Sequence, residues 1–69
     1  MTIAGQVGVF DIDDEVIPVG GRFLGLLGVV DELDLDDPKQ PFRVRFPHVE
    51  GEPIAWFGAD DLMPAAGAR

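Results

Sequence analysis

One seven-residue stretch, Pro41–Pro47, constrains the fold more than any other part of the chain. It reads P-F-R-V-R-F-P, so apolar and charged residues alternate without exception between two prolines. Because successive side chains of a β-strand point to opposite faces, we expect Phe42, Val44 and Phe46 to face a core. The two arginines between them should then face water and form surface ion pairs with neighbouring acidic residues.

The composition favours several short strands within a single domain. Nine glycines and six prolines among 69 residues predict many turns and disfavour long helices. A chain of this length makes one small domain, which we assign to residues 1–69, with a core from 5 to 65 and a flexible tail from 66 to 69. The chain contains no cysteine, so it can form neither disulfides nor a thiolate zinc site.

The remaining strands are predicted from shorter patterns. The segment Leu24–Leu33 is apolar almost throughout, and its two glycines, its β-branched pair and the lack of an N-cap residue favour a strand over a helix. The predicted strands are, in chain order, Gly5–Phe10, Leu24–Leu33, Phe42–Phe46, Ile54–Phe57 and a last short strand at Met63 and Pro64, with one helical turn at Ala59–Leu62. Between them we predict a long excursion at Asp11–Gly21, an acidic loop at Asp31–Gln40 and a loop at Pro47–Pro53. Within the excursion, Val16, Ile17 and Val19 either form a short strand or fold over the core.

The order of these motifs resembles that of the SH3-like β-barrels. The motifs are G-x-V-x-V at Gly5–Val9, L-G-V-V-D at Leu27–Asp31, the P-F-R-V-R-F strand, and W-F-x-x-D-D-L at Trp56–Leu62 followed by M-P-A. The pattern is similar to small single-domain proteins of actinobacteria and their phages, and more distantly to subunit IV of photosystem I. The resemblance implies an all-β, SH3-like barrel of about five short strands with one helical turn near the C-terminus. It implies no particular activity, because such barrels host many unrelated roles.

The charge of the chain disfavours several classes of partner. Thirteen acidic and five basic residues give a net charge of −8, which repels the phosphates of nucleic acids and anionic lipids. The longest apolar run is too short to span a membrane, and no signal peptide is visible. We therefore expect a cytoplasmic protein of a bacterial or phage-infected cell, with basic or apolar protein partners and with neither nucleic acid nor membrane as a direct partner.

No pattern predicts catalysis, a metal site or a cofactor. Counted as an EF-hand loop, the acidic run that begins at Asp11 has Val16 where glycine is required and Arg22 where glutamate is required. Asp60 and Asp61 fit the start of a helical turn better than a catalytic pair. The chain has one histidine and no serine, so no Ser-His-Asp set can form. We predict that the protein is not an enzyme and has no small-molecule substrate.

Large apolar side chains provide the strongest candidates for a contact surface. The run Phe23–Leu27 is more apolar than one edge of a small barrel can hide, and such patches mark partner surfaces. Trp56 and Phe57 should lie on opposite faces of their strand, so one of them is exposed, and exposed aromatic residues are enriched at interaction hot spots. The predicted contact residues are Phe23, Leu24, Leu26, Trp56 and Phe57, rimmed by Asp14, Glu15, Asp36 and Asp37.

These residues predict a small acidic protein-interaction module that docks on a larger protein or self-associates. The alternative is an acidic decoy that mimics nucleic acid and blocks a basic site on a DNA- or RNA-binding protein. A third class, a reader of methylated cations, would use an aromatic cage, although core packing is the favoured role for most of the aromatic residues. Salt separates the first two, because exposed charges are screened whereas an apolar interface barely responds.

Overall fold

The computed structural model describes residues 10–65, which form one antiparallel five-stranded sheet. Its strands are β1 (Glu15–Pro18), β2 (Gly28–Leu33), β3 (Phe42–Arg45), β4 (Ile54–Phe57) and β5 (Leu62–Pro64), with a 3₁₀ turn at Ala59–Asp61 before β5. The spatial order is β4-β3-β2-β1-β5, so the last strand pairs with the first. The prediction of an all-β fold with about five short strands and one helical turn near the C-terminus is confirmed.

The core lies on one face of the sheet, which we call the inner face. Phe42 and Val44 of β3 are buried together with Phe46, and the two arginines between them lie half-buried on the opposite, outer face. The alternation predicted for this strand is therefore confirmed. Every strand except β4 contributes a buried apolar side chain, and two further ones lie just outside the strands. The buried apolar residues of the described region are Phe10, Val16, Pro18, Val30, Phe42, Val44, Phe46 and Leu62.

The predicted strand Leu24–Leu33 is wrong in its first half, because β2 begins only at Gly28. Residues before it form turns, in which the Leu24 N–H donates to the Gly21 carbonyl and the Leu26 N–H donates to the Phe23 carbonyl. These three-residue steps cannot coexist with an extended strand. Periodicity alone could not reveal them, since an apolar run fits a strand, a helix or a covered loop equally well.

Asp31, Glu32 and Leu33 were predicted both as the end of the strand Leu24–Leu33 and as the start of the acidic loop Asp31–Gln40. They belong to β2, so the predicted end of the strand is confirmed and the predicted start of the loop is wrong. Aspartate is normally depleted in strands. Here the Asp31 carboxylate accepts a 2.8 Å hydrogen bond from Nε of Arg43 on the neighbouring strand, and Glu32 also pairs with Arg43 at 3.0 Å. The register between β2 and β3 shifts at this point. Cross-strand ion pairs therefore hold the acidic residues in the sheet.

The early part of the chain resolves one of the open alternatives. Val16 and Ile17 lie in the short strand β1, and Val19 follows it directly. The predicted strand Gly5–Phe10, apart from Phe10, and the predicted tail lie outside the described residues. Phe10 is buried, and its ring packs edge-to-face on that of Phe42 with the centroids 5.4 Å apart. The predicted helical turn and last strand are both present, but Leu62, predicted in the turn, is the first residue of β5, where it is buried.

Candidate protein-contact surface

The connection between β1 and β2, residues 19–27, is an apolar loop with a defined shape. Its Leu24 N–H donates to the Gly21 carbonyl at 3.2 Å, and its Gly25 N–H reaches back to the Pro18 carbonyl at 3.1 Å. Gly21 and Gly25 both adopt left-handed backbone conformations, with φ of 79° and 80°. Residues with a side chain rarely adopt this conformation, so the two glycines allow the turns that give the apolar loop its form.

Phe23 anchors the apolar loop to the core. Its ring stacks on that of Phe46, with the centroids 4.4 Å apart and the planes 11° from parallel. The guanidinium carbon of Arg22 lies 5.3 Å from the Phe23 ring centroid, which covers the ring with a cation. Phe23 was predicted as a contact residue, and in the structure it is half-buried beneath the loop.

The two leucines beside this anchor remain in water. Leu24 is 62% exposed and Leu26 is 40% exposed, although both lie next to residues that the loop's hydrogen bonds hold in place. Burial of apolar surface stabilises a protein or a complex by roughly 25 cal/mol for each Å² removed from water, and these two side chains lack that stabilisation within the domain. A loop that fixes such side chains outward is typical of a surface that is covered by something else.

The structure separates the two aromatic residues of β4, as their alternation predicts. Phe57 turns to the inner face, where its ring lies 6.1 Å from that of Phe46 at an interplanar angle of 71°. Trp56 lies on the outer face, directly across from Arg43 of β3, and is 37% exposed. Phe23 and Phe57 thus meet at Phe46, whereas Trp56 lies on the other side of the sheet.

Two residues of the predicted acidic rim, Asp14 and Asp37, accept hydrogen bonds from main-chain N–H groups within their own turns. The side chain of Asp14 accepts a hydrogen bond from the Asp11 N–H at 2.8 Å. The Asp37 carboxylate accepts the N–H groups of Lys39 and Gln40 at 3.0 and 3.1 Å, and so closes the turn between β2 and β3. The other two rim residues, Glu15 and Asp36, are exposed.

An ion-pair ladder neutralises part of the outer face. Arg43 contacts Asp31 and Glu32, and Arg45 lies 3.8 Å from Asp31 and 3.5 Å from Glu52. The hydrogen bond that Arg43 donates to the Asp31 carboxylate raises the pKa of Arg43, so its guanidinium keeps its charge. The expected surface ion pairs are therefore present. The other ten carboxylates of the chain form no ion pair with any residue from 10 to 65.

Sequence reasoning missed Ile54 as a surface residue. It is 51% exposed on the outer face, two positions before Trp56 on the same strand. The signal was available, because residues i and i+2 of a strand share a face. Ile54 and Trp56 together form an exposed apolar pair, which we call the β4 pair.

Within residues 10–65, no three His, Asp or Glu side chains are placed to hold a metal ion. The same part of the chain has no helix with the length and hydropathy needed to cross a bilayer. Comparison of the chain with protein-family models, curated proteins and solved structures gives no match.

Proposed function

We propose that this chain is a small, non-catalytic, acidic interaction module that docks through the apolar loop on a larger protein or on a second copy of itself. The observation that carries this proposal is the exposure of Leu24 and Leu26 on a loop held by main-chain hydrogen bonds and anchored by Phe23. A contact surface that is already ordered loses less conformational entropy on binding than a flexible one. The net charge of −8 keeps so apolar a loop from indiscriminate association.

Paired substitutions test this proposal. We expect the double variant Leu24→Asp/Leu26→Asp to lose its partner or its self-association while unfolding at nearly the wild-type temperature, because exposed positions change stability by about 0.5 kcal/mol or less. Leu35→Asp is the matched control, since Leu35 is a leucine exposed to 74% in the loop between β2 and β3. The measurements are mass by light scattering over a range of concentrations and affinity capture from a bacterial lysate.

Two results would contradict the proposal. If the double variant unfolds, the leucines contribute to folding rather than to binding. If the double variant and the Leu35 control associate equally well, the apolar loop is not the contact surface.

The acidic decoy is the second candidate, and the charge distribution supports it. Ten carboxylates have no ion pair within the described region, and they lie in several surface segments, among them Asp11–Glu15 and Asp34–Asp37. A complex that depends on these charges should weaken steeply as the salt concentration rises. A complex formed through the apolar loop should persist at high salt. The double variant Leu24→Asp/Leu26→Asp should weaken the complex formed through the apolar loop and leave the charge-dependent complex unchanged.

We also propose an SH3-like relationship for the fold. The support is the element order, in which a long connection follows the first strand, three strands then form a meander, and a 3₁₀ turn leads into a last strand that pairs with the first. This relationship adds no function by itself.

A further inference from the structure

The hydrogen-bonding pattern of β4 leaves main-chain groups at the edge of the sheet without a partner in residues 10–65. The Phe46 N–H donates to the Pro53 carbonyl at 3.0 Å, which makes these residues a hydrogen-bonded pair. Such pairs alternate along an antiparallel ladder, so the next residue of β4 bonded to β3 is Ala55. Ile54 and Trp56 consequently direct their N–H and C=O groups away from β3, and they have no hydrogen-bond partner in residues 10–65.

The free stretch is short and has defined ends. Before it, the Glu52 N–H already donates to the Val49 carbonyl at 2.9 Å. After it, the Gly58 N–H donates to Oδ2 of Asp61 at 3.1 Å. Because Pro53 has no N–H, the stretch offers two donors and two acceptors, on the residues of the β4 pair.

The side chains of the same two residues are exposed beside this edge. Ile54 is 51% and Trp56 is 37% exposed on the outer face. A strand laid along β4 would satisfy the free main-chain groups and, with its own side chains on that face, cover both apolar residues. Strand addition of this kind takes affinity from the main chain and specificity from alternate side chains.

Charge indicates what kind of strand would fit. Glu50 and Glu52 precede the β4 pair, Asp60 and Asp61 follow it, and residues 53–59 carry no charge. Arg45 offsets only one of these carboxylates, that of Glu52 at 3.5 Å. An occupant with basic residues on both sides of an apolar centre complements this arrangement.

A second copy of the chain fits less well. The antiparallel register that joins the free groups places Ile54 of one chain opposite Trp56 of the other. In this arrangement Glu50 and Glu52, which precede β4 in one chain, come to the end of the pair where Asp60 and Asp61 follow β4 in the other, and like charges brought together repel. The net charge of −8 on each copy adds to this repulsion.

We propose that the edge of β4 binds an extended segment of another protein, antiparallel to β4, with alternate apolar residues between lysine or arginine flanks. Two residues of the segment, at positions j and j+2, exchange four hydrogen bonds with Trp56 and Ile54. Their side chains lie on the outer face beside the β4 pair. Basic residues two to four positions beyond either end reach the acidic flanks. This surface is separate from the apolar loop and does not depend on it.

A capped peptide with the sequence Lys-Lys-Thr-Val-Thr-Val-Thr-Lys-Lys is the direct probe. Trp56 is the only tryptophan, so its fluorescence reports binding at the edge itself. We expect a saturable titration and slowed amide hydrogen exchange at Ile54 and Trp56. The same peptide N-methylated at both valines loses its edge-facing donors, and we expect at least a tenfold loss of affinity. Replacing the lysines by glutamates should cost at least as much.

Two variants of the protein sharpen this result. Ile54→Pro removes an edge donor, whereas Ile54→Ala removes most of the side chain and keeps the donor, so the proline variant should lose more affinity. The double variant Leu24→Asp/Leu26→Asp should bind the peptide as the wild type does, which separates this site from the apolar loop. If a variant fails to fold, amide exchange of the wild-type chain with and without the peptide still shows whether Ile54 and Trp56 are the residues that the peptide protects.

Four outcomes would overturn the proposal. They are an absence of binding, equal affinity for the N-methylated peptide, equal affinity for the glutamate peptide, and protection of residues outside β4 instead of Ile54 and Trp56. If those two amides become protected without peptide as the protein concentration rises, the occupant is a second copy.

Discussion

The two edges of the sheet differ in what their main chains offer to a partner. On β5, the Leu62 N–H already donates to the Ala59 carbonyl, and Pro64 has no N–H to give. On β4, the outward N–H groups of Ile54 and Trp56 have no partner in the described region. Natural proteins protect sheet edges with prolines, short strands and local capping. On β5 the proline and the local hydrogen bond fall on the outward-facing residues themselves, whereas Pro53 and the Gly58–Asp61 hydrogen bond lie only at the ends of β4, which points to β4 as the edge that is used.

The side chains of the edge strands repeat this difference. Leu62 of β5 is buried in the core, whereas β4 contributes no buried side chain and exposes Ile54. β5 therefore supplies a buried residue of the core, whereas β4 adds only the half-buried Phe57 beside it.

Truncation of the two edges should produce the largest contrast. Leu62→Ala removes a buried side chain and should cost about 2–5 kcal/mol, enough to unfold much of a domain this small. Ile54→Ala removes a half-exposed side chain and should cost about 1 kcal/mol or less. Urea unfolding measures both. Equal losses would mean that β4 is as deeply built into the core as β5.

Proline substitution at neighbouring positions of β4 should give the next largest effect. Ala55→Pro removes a donor that faces β3 and leaves a carbonyl unpaired, which costs about 1–3 kcal/mol. Ile54→Pro removes a donor that faces outward, so we expect it to be clearly milder. Thermal unfolding of the two variants provides the comparison, and the reverse order would show that the phase of the ladder is opposite to the one described.

Breaking the ion-pair ladder should weaken the β4 side of the sheet modestly. Asp31→Asn removes the carboxylate that binds Arg43 and approaches Arg45, and it should cost about 1 kcal/mol at low salt and less at high salt. Asp36→Asn is the control, because Asp36 is exposed in the turn and pairs with no arginine among residues 10–65. We expect the Asp31 substitution to accelerate amide exchange more in β3 and β4 than in β5. Uniform acceleration would mean that the two sides unfold together.

Opening the β5 edge should have the smallest effect on stability. Pro64→Ala restores an N–H at the outer edge of β5 and should change the free energy of unfolding by about 1 kcal/mol or less, chiefly through the unfolded chain. The new amide should exchange rapidly. The lysine peptide should still protect β4 alone, since the other outward N–H of β5, that of Leu62, remains bonded to Ala59. A shift of protection to β5 would contradict the role assigned to the side chains of β4.

The fold could be predicted wherever charge and apolarity alternate, as in β3. The apolar loop could not, because its shape depends on two glycines with positive φ and on turns that an unpatterned apolar run does not reveal. Asp31, Glu32 and Leu33 fell in both a predicted strand and a predicted loop. The strand holds because Arg43 lies across from Glu32, and a cross-strand pair cannot be identified before the register is known.

The candidate surfaces show the same limit. Alternation predicted that Trp56 and Phe57 would lie on opposite faces, but which of them faces Phe46 depends on the register with β3. The openness of the β4 edge depends on the phase of hydrogen bonding, which the Phe46–Pro53 pair sets. Neither the register nor the phase of hydrogen bonding can be predicted from composition or periodicity.

Amide hydrogen exchange along β4 in the free chain measures directly whether this edge of the sheet is open. We predict an alternating pattern, in which Ala55 and Phe57 exchange slowly because they bond to β3, while Ile54 and Trp56 exchange at nearly the rate of an unstructured chain. Protection of all four amides, in dilute protein without any partner, would show that this edge is already covered and cannot take up a strand of another protein.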